Sequence, residues 1–299
     1  MRYVILANPQ SGNLPEYEKE FLLSGARGIL DCDVIGFGQL KNKFLSEAVR
    51  LKQEYDCVVV AGGDGTFSDV INSSSNQNVV LAYLPLGTGN AMGSALGYGM
   101  SKFGDLASIA GRIKNGENKS IDVILCETPT TTTKGLMVGV GMDADIINRS
   151  QGLRKAGMNS LNSYIAGSIT SVFGGYQRET ISLEIDDKAT AISDLVAFAI
   201  SKHPYFGYGL RANPHAVLNS GKLHGLSFTG GIPMILKLLL TSSFDGTIFG
   251  GNTQGIPYTA DRIKITSTNP LPLHIDGNFV DAANEFEFTI LPKELTMRY

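Results

Sequence analysis

Three short glycine-rich stretches carry the residues best suited to chemistry in this 299-residue chain. They read Asn8-Pro9-Gln10-Ser11-Gly12-Asn13, Gly62-Gly63-Asp64-Gly65-Thr66-Phe67-Ser68 and Pro85-Leu86-Gly87-Thr88-Gly89-Asn90. Glycine lets a backbone take positive φ and come close to a ligand. Exposed N–H groups at the start of a helix attract anions, and the hydroxyls of Thr66, Ser68 and Thr88 add donors. Together these features describe a cradle for a polyphosphate. The plainer alternative, that each stretch is only a tight turn, stays open for any one of them. Asp64 refines the reading, since a carboxylate among phosphates with no Lys or Arg beside it would repel them. A bridging Mg²⁺ reverses that sign, because hard cations bind carboxylate and phosphate oxygens together. The alternative for Asp64 is a cap on the helix that follows.

The elements around these stretches follow a strand–helix alternation. Residues 3–7, 57–61 and 79–84 are short apolar runs, and each is closed by one of the glycine-rich stretches. Between them, Leu40, Phe44, Ala48 and Leu51, and later Phe103, Leu106, Ala110 and Ile113, recur at helical spacing. The second and third stretches are expected to lead into helices over residues 68–74 and 91–96. Such alternation predicts a doubly wound, mostly parallel sheet in an α/β domain over residues 1–122. Ligands bind such sheets at the carboxyl ends of the strands, where these stretches fall. Beyond residue 122 the pattern changes. Residues 181–185, 195–201, 223–229, 262–266 and 285–291 read as strands separated by turns such as Asp186-Asp187 and Asp276-Gly277. Residues 123–280 are therefore expected to form a mainly antiparallel β-sandwich with a helical insertion over 159–173.

Bulk properties narrow the function classes. A formal charge of −3 and a pI near 5.8 argue against a nucleic-acid partner. Three cysteines, Cys32, Cys57 and Cys126, lack metal-ligand spacing and sit in apolar surroundings, which fits reduced thiols and a cytoplasmic location. The N-terminal apolar run is too short for a signal-peptide core, and no apolar stretch reaches the ~18 residues of a membrane span. His203, His215, His224 and His274 show no metal-ligand spacing. The apolar segment 232–240 reads as a core helix, or alternatively as the lining of an acyl pocket.

In order and type, these stretches resemble the diacylglycerol kinase catalytic domain family, which also contains bacterial lipid kinases, sphingosine kinases and ceramide kinase. Gly62-Gly63-Asp64-Gly65-Thr66 with Val70, Ile71 and Asn72 is similar to its GGDGT-x-x-E-V-x-N signature. Pro85 to Asn90 matches its P-x-G-T-x-N element, and Asn8-Pro9 with Ser11-Gly12 its opening N-P-x-[SA]-G. Gly139 to Ala144 resembles its G-x-G-x-D-A segment, and Ile275-Asp276-Gly277 falls where the family has D-G-E. GGDGT by itself also occurs in a form shared by NAD kinases and phosphofructokinases.

The resemblance implies ATP and Mg²⁺ as cofactors, with ATP held by Asn8, Ser11, Gly12, Gly62, Gly63, Asp64, Gly65, Thr66, Gly87, Thr88, Gly89 and Asn90 in an interdomain cleft. Asp64 would act on the metal or near the transferred group, and Asp276 would accept the proton of a lipid hydroxyl. Residues 281–299 are expected to return to the first domain. The implied partners are a diacylglycerol, sphingoid or related lipid and a membrane surface visited transiently, with a homodimer left open. Asn278 stands where the family has the Glu of D-G-E, Asp69 replaces the Glu after GGDGT, and Ser73 replaces a Gly. The family's structural Mg²⁺ segment reads Asn219-Ser220-Gly221 here, and no accessory metal is expected there. A kinase of a soluble acceptor such as NAD, and a catalytically weak nucleotide- or lipid-binding homologue, remain as alternatives.

Overall fold

The computed structural model describes residues 1–38, 41–73, 79–99, 105–158, 160–173, 176, 178–206, 211, 213–230 and 255–299. Segment 232–240, read above as a core helix or pocket lining, lies outside them. The chain divides into two compact units. One holds Met1–Ile121 and Lys293–Tyr299; the other begins with Asp122–Phe206 and takes in the later residues up to Pro292.

In the first unit the chain runs β1 (Tyr3–Ala7), α1 (Glu16–Leu30), β2 (Asp33–Ile35), α2 (Lys41–Glu54), β3 (Cys57–Gly62), α3 (Asp64–Asn72), β4 (Val80–Pro85), α4 (Ala91–Ala95) and α5 (Leu106–Asn115). All six residues of β3 are buried, and its three consecutive valines are stiff at χ1, which suits a strand covered on both faces. Strand order is β2-β1-β3-β4, every pair parallel, with Leu6 opposite both Ile35 and Val60. The order reverses between β1 and β3. One face packs Ile5, Val59, Ala82 and Leu84 against Leu23, Ala26 and Leu30 of α1 and Ile109 and Ile113 of α5. Tyr83 alternates to the other face, where its ring meets Phe67 of α3 edge-on at 5.6 Å. Asp105 caps α5 by accepting from the Ala107 N–H, and Arg112 and Lys114 in the last turn complement the helix dipole.

One boundary differs from the sequence expectation. Helix α3 begins at Asp64, four residues earlier than expected. Gly63 in extended conformation stops β3, and an acidic residue in the first turn favours helix initiation there. Phe67, Val70 and Ile71 then anchor the turn in the core. Asp64, Gly65 and Thr66 are thus first-turn helical residues, not loop residues.

The second unit contains β5 (Asn118–Glu127, entering from the first unit), β6 (Thr132–Gly135), β7 (Met137–Gly141), α6 (Met142–Lys155), α7 (Ser160–Phe173), β8 (Glu179–Ile185), β9 (Lys188–Ser201), β10 (Leu223–Thr229), β11 (Gly255–Ala260), β12 (Arg262–Ile275) and β13 (Asn278–Arg298). Its ladders are antiparallel. The sandwich expectation needs one correction, because these strands do not form two separate sheets. β9 and β12 each pair with β8 through their first halves and with β7 through their last, so β7, β12, β8 and β9 close a hydrogen-bonded ring. Two strands of 14 residues are long enough to bend from one layer into the other. Phe198, Phe286, Phe288, Val138 and Leu273 share the core beneath. The last residues of β13 belong to the first unit, where Thr296 and Met297 pair in parallel with Val80 and Leu81 of β4.

Candidate functional site

The reversal in strand order between β1 and β3 opens the place where a doubly wound sheet receives ligands, and the three glycine-rich stretches meet there. Asn8 Nδ2 donates to Thr66 Oγ1 at 2.9 Å, and the Ser11 and Thr66 hydroxyls hydrogen-bond at 2.8 Å. The Gly63 N–H reaches Ser11 Oγ at 3.4 Å. The third stretch joins through the backbone, since the Leu86 and Gly87 N–H groups donate to the Gly62 carbonyl at 2.9 and 3.2 Å. Asn90, in left-handed conformation, closes that stretch on itself. Its Oδ1 accepts from the Gly87 N–H and its Nδ2 donates to the Gly87 carbonyl, while the buried Tyr83 hydroxyl donates to Oδ1 at 3.2 Å.

Two glycines are demanded by close approach. A Cβ on Gly87 would lie 2.4 Å from the Gly63 Cα, and a Cβ on Gly12, whose φ is +65°, would lie 2.5 Å from the Leu86 carbonyl oxygen. Neither contact can relax by turning a side chain.

The two helix N-termini at this place differ. At α3 the N-cap is Gly63, which supplies no side-chain cap. Its first-turn N–H groups and the positive end of its dipole therefore suit an anion. At α4 the corresponding donors are already taken. Asp64 accepts from the Ala91 N–H through Oδ2 at 3.0 Å and from the Met92 N–H through Oδ1 at 2.9 Å. Asp64 is thus a cap, as one reading of the sequence allowed, but of α4 and not of the helix that follows it. Burial pushes its pKa up, and the Met92 and Ala91 donors pull partly back. Its own main-chain N–H is a third donor to the carboxylate, which leaves one of about four lone-pair sites for a further ligand. Among the described residues no group of three His, Cys, Asp or Glu is placed to hold a metal. Mg²⁺ is commonly held by one or two carboxylates plus substrate phosphates, so the donor set fits the ion only in company with a phosphate ligand.

Asp276 belongs to the second unit. It occupies the turn between β12 and β13 at φ +47°. Its carboxylate accepts from the Leu136 N–H at 3.1 Å and the Met137 N–H at 2.9 Å, and its own N–H donates to the Met137 carbonyl. Asn278, one residue past Gly277, is exposed.

Several residues escaped the sequence reading. Lys19 of α1 is 2% exposed, and its ammonium donates to the Pro9 carbonyl, fastening the first stretch. Burial lowers its pKa. His274, noted above only for lacking metal-ligand spacing, is buried with Nε2 2.8 Å from Asp143 Oδ2, inside the G-x-G-x-D-A segment. Gly139 of that segment is needed, because a Cβ there would lie 2.3 Å from His274 Nε2. His203 is buried with its Nδ1 unpartnered among the described residues, and burial pulls its pKa down to about 4. His274 and Asp143 lie 131 residues apart, so no local spacing announces that pair. The cysteines are free, and burial raises Cys57 and Cys126 to about 12 and Cys32 to about 11, which keeps them as neutral thiols. No helix among the described residues is long and apolar enough to cross a membrane.

Residues 2–126 match the diacylglycerol kinase catalytic domain. An uncharacterized protein of Synechocystis is 25% identical over 80% of this chain, which spans 54% of that protein's length. A Klebsiella pneumoniae protein described as a probable lipid kinase, YegS-like, is 25% identical over 86% of this chain and 81% of its own. A Bacillus subtilis diacylglycerol kinase is 23% identical over 76% and 72%. Among solved structures, that of a candidate diacylglycerol kinase from Bacillus anthracis superposes with a TM-score of 0.77 at 17% identity, covering 100% of this chain and 97% of that one. An NAD kinase from Archaeoglobus fulgidus, in complex with ATP, superposes at 0.51 and 12%, covering 100% and 94%. At these identities the two structures speak to the fold.

Proposed function

We propose, from the match of residues 2–126 to the diacylglycerol kinase catalytic domain and the likeness to lipid kinases, that this chain is a lipid kinase of that kind and transfers the γ-phosphoryl group of ATP to the hydroxyl of a diacylglycerol, a sphingoid base or a related lipid. The observation that carries this reading is the meeting of three glycine-rich stretches at the β1/β3 reversal, around the uncapped N-terminus of α3. Phosphoryl transfer is catalysed largely by positioning and charge neutralisation, which backbone donors can supply without a nucleophile.

In this reading the N–H groups of Gly65 and Thr66 face the polyphosphate. Asn8, Ser11 and Gly12 hold the wall on the β1 side, with Thr66 as the shared hydroxyl. Gly62, Gly63 and Gly87 keep the backbones close enough to form one cradle, and Thr88, Gly89 and Asn90 border it. Asp64 performs two tasks: it caps α4, so that the third stretch stays in place, and it offers a lone pair to Mg²⁺. ATP brings the phosphoryl group, and a Mg²⁺ held by Asp64 and the phosphates would supply charge neutralisation there. Asp276 accepts the proton of the lipid hydroxyl, its carboxylate aimed by the Leu136 and Met137 N–H groups.

Raised carboxylate basicity gives this proposal a pH signature. Asp64 must be ionised to receive a cation, so the acid limb of the pH–rate profile is expected above the ordinary carboxylate range. Asp64→Asn should remove that limb together with the Mg²⁺ dependence.

The test is ATP consumption with Mg²⁺ and a panel of lipid alcohols in mixed micelles, products identified by mass analysis, wild type against Asp64→Ala. A phosphorylated lipid formed only by wild type supports the reading. Phosphorylated NAD in its place would move the acceptor to the soluble class. A second reading is favoured by one observation, the exposed amide of Asn278 beside a carboxylate already engaged by backbone. On that reading the chain binds nucleotide and lipid with little turnover, and neither wild type nor Asn278→Glu would form product while ATP still bound tightly.

A further inference from the structure

The segment that holds a structural Mg²⁺ in the resembled family reads Asn219-Ser220-Gly221 here, where no accessory metal is expected, and the residues around it do not fit one. At the end of β9, Lys202 is fully buried and Asp122 is 1% exposed. The Lys202 ammonium lies 3.0 Å from Asp122 Oδ2 and 3.1 Å from Ser220 Oγ, and it also donates to the Lys222 carbonyl. The surrounding turn is fixed as well. The Gly221 N–H donates to Asp122 Oδ2 at 2.7 Å, the Asp122 N–H donates to the Leu218 carbonyl at 2.9 Å, and Ser220 Oγ meets His224 Nε2 at 2.8 Å.

A carboxylate, a hydroxyl and a main-chain carbonyl converging on one point are the hard oxygen donors that a divalent cation takes. Here they match the three donors of an ammonium. A metal ion at the same oxygens would stand within ~3 Å of a like charge in a region screened from water, where repulsion is strong.

We infer that the Lys202 ammonium does in this chain what a structural divalent cation would do, tying β5, the end of β9 and the turn before β10 together without metal. The lysine arrives from β9, pinned by its own N–H to the Leu136 carbonyl at 2.8 Å, so the charge is delivered at a fixed height in the cage. Burial lowers the basicity of this ammonium and the Asp122 carboxylate opposes that effect.

The experiment is thermal unfolding of the full chain without nucleotide, in chelator and then in millimolar Mg²⁺ or Ca²⁺. Wild type should show the same Tm in all three. Lys202→Ala should unfold lower by roughly 6 °C or more in chelator and recover part of that loss when Mg²⁺ or Ca²⁺ is added. Adding Asp122→Asn to Lys202→Ala should abolish the recovery. If Lys202→Ala does not fold, Lys202→Met, which keeps the stem and removes the charge, is expected to fold and to show the same response. A metal-dependent rise in wild-type Tm that Asp122→Asn removes would overturn the inference, as would Lys202 variants that fold yet ignore both cations.

Discussion

The two units build their polar centres in opposite ways. The first unit uses neutral groups: hydroxyls of Ser11 and Thr66, the Asn8 and Asn90 amides, and main-chain donors of glycines. Charge enters as Asp64, which spends one lone pair of each oxygen on the backbone of α4, and as the buried Lys19, whose ammonium holds the Pro9 carbonyl. The second unit buries whole charges and ionisable groups against each other, Lys202 with Asp122 and His274 with Asp143. The difference teaches what each region can do. A neutral cradle with an uncapped helix start has electrostatic capacity left for a polyanion. A carboxylate that already holds an ammonium has far less to offer a ligand and instead fixes geometry.

The contrast breaks first, and most heavily, at Asp122. Asp122→Ala leaves the Lys202 ammonium buried without its counter-charge, and a loss of about 3–5 kcal/mol is expected by denaturant unfolding. ATP affinity, measured at a temperature where the variant is folded, should stay within a few-fold of wild type. A large loss of affinity would erase the division of labour.

Next comes acid sensitivity. The folded-state pKa of His203 lies near 4, below the unfolded value of 6.5. Below pH 6.5 the unfolded chain takes up a proton that the folded chain refuses. Stability should therefore fall as pH drops from 6.5 towards 4, by up to about 3 kcal/mol. His203→Gln should flatten that part of the stability–pH curve.

In the first unit, Gly87→Ala pushes a methyl into the Gly63 backbone. It is expected to cost about 1–3 kcal/mol of stability and to abolish nucleotide binding by calorimetry. Thr66→Val removes the hydroxyl shared by Asn8 and Ser11, with an expected loss of roughly 1 kcal/mol and weaker nucleotide binding. If Thr66→Val left binding unchanged, the hydroxyl network would be scaffolding alone.

Much of the first unit could be read from the chain because its signals are local. Apolar runs ended by glycine gave the strands, and the three stretches were expected at the carboxyl ends where they lie. The start of α3 was misplaced by four residues because glycines at 62, 63 and 65 suggest a loop, whereas burial of Phe67 and Val70 extends the helix back to Asp64. In the second unit less was legible. Helix α6 went unread because Met142–Lys155 is polar around most of its circumference, with Met142, Ala144, Ile146 and Ser150 its buried positions. Lys202 and Asp122 were invisible as a pair, since eighty residues separate them and nothing in either neighbourhood signals the other. The closed ring of β7, β12, β8 and β9 likewise depends on bends in two long strands that alternation cannot reveal.

The pairing of Thr296 and Met297 with β4 bears on how this chain is made. A ribosome would release β4 roughly two hundred residues before it released the neighbour that completes the sheet. Until then the nascent first unit carries an open parallel edge of Val80 and Leu81, a template for stray strand addition. Closing it also requires a long loop to be brought together, which slows folding. Fragments cut near residue 121 would keep that edge open permanently, so self-association is the expected fate of the first unit expressed by itself.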